Sequence, residues 1–308
     1  MTPLSLAALP LFRRRFESMA VPLSDYSFAN NIAWQSRQRY LYATIGDCLC
    51  LFALRNGALS MPLPPLGPPE LAADALPECI EWMDRNNQGR ADWEIRCVNE
   101  DLVDALLRAG PPRRPRTIVS TPPDFIYNTA ELAELRGACY KSKRNDINQL
   151  LRVHPDVCLE LLHPEHCLDV ADLCERWLAQ RPPGAPGAPG APALDGLAVE
   201  EFHAIVYAVT HMDALGLTGL RMLVDGRTEA FILGEHLLPG VGHVLFEKSN
   251  RELRGSAQLI FREYARSLTH CPLINTGDAL GCSSLARSKE SYHPRHLGRK
   301  FTVCSLGC

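Results

Sequence analysis

No apolar run in this 308-residue sequence approaches the roughly 20 residues that a bilayer-spanning helix needs. No C-x-x-C pair occurs, and no histidine stands at zinc-ligand spacing from the twelve scattered cysteines, so no metal site is expected. No charge of one sign prevails. The net charge is −3 with His neutral, which leaves no global basic field for nucleic acid or membrane and makes any polyanion contact local. A Ser-His-acid pattern is also missing. What is present is ordinary for a globular protein: 46% hydrophobic and 22% charged residues, on a chain long enough for one large or two medium domains.

The cysteines read as buried reduced thiols of a cytoplasmic protein. Cys48 and Cys50 alternate along a strand and share a face. Cys304 and Cys308 lie in the tail and are expected to be exposed and reactive. The apolar N-terminus ends at Phe12, and its basic triplet Arg13-Arg14-Arg15 follows the apolar part, where a secretory signal carries its charges in front. It reads as a first helix, Ser5 to Phe16, with Leu6, Leu9 and Phe16 toward a core. The alternative is a surface helix in peripheral contact with lipid headgroups.

Ser24 to Asn30 with Trp34 suggests a short capped helix. Tyr40–Ile45 and Cys48–Leu54 read as strands about the Gly46-Asp47 turn, and Asn56-Gly57 is a strong hairpin signal leading to Ala58–Met61. Helical spacing follows from Glu70 to Asn86, a strand at Trp93–Val98, and a helix capped by Asn99. Pro122 and Pro123 break Thr117–Tyr127, which is expected to be an edge segment or loop. A helix over Glu131–Leu151, interrupted near Gly137, carries Lys141, Lys143 and Arg144 in one turn. Helices at Pro164–Gln180 and Val199–Leu215 flank a Pro-Gly-Ala run at 182–193, a low-complexity insertion that builds no core and is expected to be dispensable. The last third repeats the plan of the first: strands at Leu220–Val224, Glu229–Gly234 and Gly242–Glu247, a helix at Ser256–Leu268, and a strand at Pro272–Asn275. The element order predicts an α/β (α+β) chain of two lobes, 1–135 and 136–308, each a mixed sheet flanked by helices.

Two stretches carry candidate chemistry. In Leu273–Pro294 a short apolar run leads to Gly277-Asp278 and Gly281, then to a short helix with Arg287 and Lys289 that stops before Pro294. An acid at a strand end, permissive glycines and two cations suit a polar, partly anionic substrate; the same residues also read as a surface loop and a solvated helix end. In His243–Ala257 a strand passes through Glu247 and Lys248, which point to opposite faces so that only one can face a given pocket. The following loop, with Arg251, Arg254 and Gly255, lacks the R-x-x-G-x-G/A spacing of acyl-CoA-dependent acetyltransferases but leaves room for another phosphate ligand.

With these residues in hand, the chain resembles the phosphatidylglycerol lysyltransferase C-terminal domain family. The resemblance rests on Pro22–Asn30 with Trp34; Pro65-Leu66-Gly67; Tyr127 with Leu135-Arg136-Gly137; Lys143-Arg144-Asn145-Asp146-Ile147; Glu247-Lys248; and Ile274-Asn275, Asp278, Gly281, Leu285-Ala286-Arg287, Lys289, Ser291-Tyr292 and Pro294. It implies tandem GNAT-like lobes. It also implies an enzyme that moves an aminoacyl group from aminoacyl-tRNA, its donor co-substrate, to a hydroxyl or amine acceptor, with no cofactor. The lipid-modifying members carry a multi-helix membrane region that this sequence lacks, so a soluble small molecule joins phosphatidylglycerol as an expected acceptor.

On this resemblance Asp278 or Glu247 is expected to bind the aminoacyl α-amine or to deprotonate the acceptor. Lys289 and Arg287 are expected to hold the donor's phosphate or ribose, or to polarise the carbonyl. Lys141, Lys143 and Arg144 form a cationic face for the tRNA acceptor end, and Tyr292 stacks on the terminal adenine or packs in the core. Lys248, Asn145, Arg254, Gly255 and Asn275 complete the expected substrate-binding set. The competing readings are an N-acetyltransferase using acetyl-CoA and a non-catalytic module that binds a nucleotide or polyanion.

Overall fold

The computed structural model describes residues 1–36, 38–88, 93–108, 116–180 and 195–305; the insertion at 182–193 and Cys308 lie outside these. The chain divides into two compact units, Met1–Asp124 with Gly298–Cys308, and Phe125–Leu297.

The first unit opens with strand β1 (Thr2–Pro3) and helix α1 (Leu9–Met19). Pro10 sits in the first turn of α1, where a missing N–H leaves no bond unmade. Ala20 ends the helix in the left-handed conformation. Phe12 and Phe16 are its core anchors, whereas Leu6 and Leu9, expected inside, are half-buried. Helix α2 (Phe28–Ala33) is capped by Ser27, whose Oγ accepts from the Asn30 amide at 3.0 Å. Strands β2 (Arg39–Ile45), β3 (Cys48–Arg55) and β4 (Ala58–Ser60) join β1 in an antiparallel sheet of order β1-β2-β3-β4. Asn56 and Gly57, at φ 52° and 80°, make the tight β3–β4 turn. Helix α3 (Pro69–Asn87) buries Ala72, Leu76, Cys79, Ile80 and Met83, a helical stripe that packs on Cys50 and Phe52. Strand β5 (Glu94–Val98), helix α4 (Glu100–Arg108) and strand β6 (Arg116–Asn128) follow.

The second unit contains α5 (Thr129–Glu134), α6 (Lys141–Val153), β7 (Cys158–Leu161), α7 (Cys167–Ala179), α8 (Asp195–Thr210), α9 (Met212–Leu215), β8 (Thr218–Val224), β9 (Arg227–Leu238), β10 (Val241–Ser249), α10 (Ser256–Ser267), β11 (Leu273–Asn275) and α11 (Ser283–Glu290). Its strands run in the order β6-β11-β10-β9-β8-β7. Neighbours are antiparallel except β10 and β11, which are parallel. On one face lies a core of Tyr127, Ile147, Leu150, Ile232, Ile260, Phe261, Tyr264, Ile274 and Tyr292. No helix among the described residues is long and apolar enough to cross a membrane.

A final strand, β12 (His296–Ser305), pairs with β5. It corrects one expectation: Cys304 is not an exposed tail thiol but lies opposite Glu94 in this ladder at 1% exposure. A second correction concerns β6. Thr117–Tyr127 belongs to one 13-residue strand rather than an edge segment. Its last residues, Ile126 to Asn128, pair with β11, and the Thr121 and Thr302 hydroxyls meet at 3.0 Å. The prolines lie before the β11 ladder begins, so their missing N–H groups interrupt none of its bonds.

Within the first unit Lys300, at 1% exposure, places its Nζ 2.7 Å from Asp25 and 2.9 Å from Asp124. Asp124 also accepts from the Ser24 amide at 2.6 Å. One buried cation thus ties β12 to β6 and to the Ser24-Asp25 turn, and each partner satisfies groups that burial would otherwise leave costly.

Candidate functional site

The parallel pair of the second unit is of unequal length. β10 and β11 pair at Val241–Leu273, Gly242–Ile274 and His243–Asn275; β11 then stops while β10 runs on to Ser249. The carboxyl ends of parallel strands that part in this way are where open α/β sheets bind ligands. The chain leaving β11 is shaped by its own short polar side chains. Buried Asn275 accepts from the Gly277 amide at 2.7 Å, and Asp278 accepts from the Leu280 amide at 2.7 Å. Asn275 is therefore turned into the backbone of the loop rather than toward a substrate.

Lys289 on α11 holds this loop. Its Nζ donates to the Thr276 carbonyl, to Thr276 Oγ1 at 3.2 Å and to the Gly277 carbonyl at 3.2 Å. Three acceptors meet the three donors of an ammonium group. The sequence expects Lys289 on a phosphate or carbonyl; the structure places it as the clamp on the loop that presents Asp278. The end of α11 is fixed in turn. The Tyr127 hydroxyl donates to the Lys289 carbonyl at 2.9 Å, the Tyr140 hydroxyl to the Tyr292 carbonyl at 2.9 Å, and Lys143 Nζ to Ser291 Oγ at 2.7 Å. Thr276 and Tyr140 are thus parts of the site that no spacing in the sequence singles out, whereas Ser291 belongs to the motif already noted.

Glu247 lies on β10 beyond the point where β11 ends. It is half-buried, and burial pushes its carboxyl up to about 7, against the pull of Lys289 and then Lys248. Burial also raises the Tyr127 and Tyr292 hydroxyls, and the negative charge of Glu247 adds to both. Glu247 therefore shares one electrostatic environment with Lys289, Tyr127 and Tyr292.

The other expected substrate contacts disperse. Lys248 takes the opposite face of β10, 2.6 Å from Glu201 and 4.4 Å from the Trp177 ring centroid. Arg254 is committed to Asp146 at 2.8 Å. Gly255, at φ 97°, admits the α6 backbone so closely that a Cβ would stand 2.3 Å from the Asp146 carbonyl oxygen. That space is filled by protein, so the missing side chain of Gly255 is what lets α6 pack here. Tyr292 is buried, T-shaped to Phe261 at 5.1 Å and with Lys143 Nζ 4.1 Å from its ring centroid, the packed of its two expected settings. Burial lowers the Lys143 pKa, opposed by Asp146. Arg144 bonds the carbonyls of Leu135 and Gly137. Of the expected cationic helix face, only Lys141 stays exposed, alongside Asn145 and the α11 residue Arg287.

A cavity of about 380 Å³ in the first unit, bordered by Leu4, Gln35, Arg39 and Tyr40, carries no carboxylate, and no acid-base chemistry follows from it.

Comparison with known proteins adds the following. Residues 16–304 match the family described as phosphatidylglycerol lysyltransferase, C-terminal. A solved protein of unknown function from Bacteroides thetaiotaomicron is 24% identical, with 98% of each chain covered and a TM-score of 0.81. A domain assigned as the C-terminal part of a lysylphosphatidylglycerol synthetase from Agrobacterium fabrum is 14% identical, covering 98% of this chain and 93% of its own, at a TM-score of 0.63. A tandem GNAT protein of clavulanic acid biosynthesis is 11% identical, covering 98% and 96%, at a TM-score of 0.50. No curated protein matches the chain. The fold is the tandem GNAT-like arrangement of mixed sheets flanked by helices.

Proposed function

This chain belongs to the phosphatidylglycerol lysyltransferase C-terminal family, and from that premise we propose that it moves an aminoacyl group from aminoacyl-tRNA to a hydroxyl or amine acceptor. A transferase of this fold needs no covalent nucleophile for such a donor, because the aminoacyl ester is already activated. What the reaction needs is alignment, a base and stabilisation of the tetrahedral oxyanion.

The observation that carries this reading is Glu247, a desolvated carboxyl that titrates at about 7 where β10 outruns β11. As its carboxylate takes the proton from the acceptor, the freed oxygen or nitrogen attacks the aminoacyl carbonyl carbon. The ester C–O bond then breaks, and the terminal ribose oxygen leaves with the proton returned by Glu247. Lys289, whose donors are spent on the loop, contributes its positive charge to the developing oxyanion and holds the loop in place. Asp278, carried by that loop, receives the aminoacyl ammonium group. The exposed Arg287 and Lys141 take the phosphates of the single-stranded acceptor end, so binding is weak and salt-sensitive.

The acceptor is a lipid such as phosphatidylglycerol or a soluble small molecule, and the setting is the cytoplasm, where charged tRNA is made. The acetyl-CoA reading is the weaker one: the loop is off-pattern in spacing, and its Arg254 and Gly255 both contact α6. The test is the pH dependence of kcat/KM for label transfer from charged tRNA. The rate should rise with pH through about 7, as Glu247 loses its proton. A profile flat from pH 5.5 to 8.5, or one unchanged in Glu247→Gln, would remove Glu247 from the mechanism.

A further inference from the structure

At the far end of the β9–β10 hairpin, His236, His270 and Cys271 come together. His236 lies on β9 opposite Gly242, and the other two occupy the turn between α10 and β11. His236 Nδ1 is 3.2 Å from His270 Nε2 and 3.4 Å from Cys271 Sγ. A metal ion held tetrahedrally at about 2.0–2.1 Å from nitrogen and 2.3 Å from sulfur sets an N···N edge of about 3.4 Å and an N···S edge of about 3.6 Å. Two of the three edges therefore already stand close to those of such a site, and all three donor atoms lie within 4.8 Å of one another.

Hydrogen bonding explains the Cys271–His236 contact and at most one of the two contacts between the imidazoles. His270 Nε2 lies 3.2 Å from one ring nitrogen of His236 and 2.9 Å from the other. The lone-pair and N–H directions of those two nitrogens diverge, so a single atom aligns with one of them at most. The rings meet at 36° with centroids 4.4 Å apart, a tilted stack rather than an in-plane pair. Both imidazoles are exposed and have room to turn toward an ion, while Cys271 is buried and fixed.

We infer that His236, His270 and Cys271 form a binding site for a borderline divalent metal ion of the zinc class, with a fourth position open to water. Two imidazoles and one thiolate are the donor set that such ions prefer over magnesium or calcium. On binding, the Cys271 thiol loses its proton to solvent and the imidazoles bind as neutral bases.

The site is separate from the proposed reaction centre. Glu247 pairs with Ile232 and His236 with Gly242, so the two places are roughly 13 Å apart along β9. The ion would staple the end of β9 to the segment that begins β11, the strand whose other end shapes the crevice.

The test is titration of the full-length, tag-free protein with Co²⁺ and with Zn²⁺. Co²⁺ should bind one equivalent with a near-ultraviolet thiolate-to-metal charge-transfer band, and one equivalent of Zn²⁺ should displace it. His270→Ala, which alters an exposed side chain and leaves the core intact, and Cys271→Ser should each weaken binding at least tenfold. Cys271→Ser should also abolish the band, whereas Glu247→Gln should leave binding unchanged. Absence of a thiolate band, or micromolar binding that survives both His270→Ala and Cys271→Ser, would overturn the assignment.

Discussion

Replacing Glu247 by Gln should make the protein more stable above neutrality, although it removes a charge that Lys289 and Lys248 attract. The carboxyl has an ordinary value of 4.5, and the fold raises it to about 7. Between those values the folded chain holds a proton that the unfolded chain has released. Stability therefore falls as pH rises through the window, and the full penalty applies above 7. The shift corresponds to about 3 kcal/mol. Gln mimics the protonated acid and carries no such penalty. Urea unfolding of both proteins at intervals from pH 4.5 to 8.5 measures the difference directly, because all other titrating groups are common to the two. The curves should nearly coincide at the acid end and separate toward pH 8, with Glu247→Gln the more stable. Curves that run parallel would show that Glu247 is not desolvated, and would remove the reason to regard it as a base.

Lys300→Met should destabilise the protein by about 3–5 kcal/mol, since it leaves the buried Asp124 and the half-buried Asp25 without this counter-charge; urea unfolding checks this, and the loss should shrink when Asp124→Asn is added. Gly255→Ala should cost about 1–3 kcal/mol through its φ of 97° and the Asp146 carbonyl in its path, so an unchanged Tm would refute the packing described for α6 and α10. Lys289→Ala should lower kcat by about 10²-fold by releasing the Asp278 loop. Lys248→Ala, on the opposite face with Glu201 and Trp177, should cost far less, and steady-state kinetics showing equal losses would contradict the two-face geometry.

Much of the fold is legible in local signals. Asn56-Gly57, the Ala72–Met83 stripe and the break at Gly137 each dictate structure from a few neighbouring residues. β6 and β12 are not legible in this way. Prolines mask the first, and the second begins in a charged, polar run whose strand character comes from pairing with β5 far along the chain. The tie of Lys300 to Asp25 and Asp124 depends on three distant segments, and no motif marks it.

The site divides similarly. The alternation of Glu247 and Lys248 follows from strand geometry, but which of them faces the crevice depends on where α7, α8 and α11 pack. Lys289 is prominent as a cation, yet its partners are largely backbone carbonyls, and a sequence does not display those. Arg254 and Gly255 resemble a phosphate loop until Asp146 is brought against them. His236 stands far from His270 and Cys271 in the chain, so ligand spacing gives no hint of their meeting.

The central claim is that the crevice bearing Glu247 accepts an aminoacyl group from tRNA. Its most direct test is to incubate the protein with tRNA charged with labelled amino acids, in parallel with labelled acetyl-CoA. Each reaction is offered phosphatidylglycerol vesicles or a small-molecule extract, and products are followed by mass spectrometry. The account predicts label leaving the tRNA for a lipid or small-molecule acceptor, with the transfer lost in Glu247→Gln. Label arriving only from acetyl-CoA, or transfer from tRNA undiminished in Glu247→Gln, would contradict it.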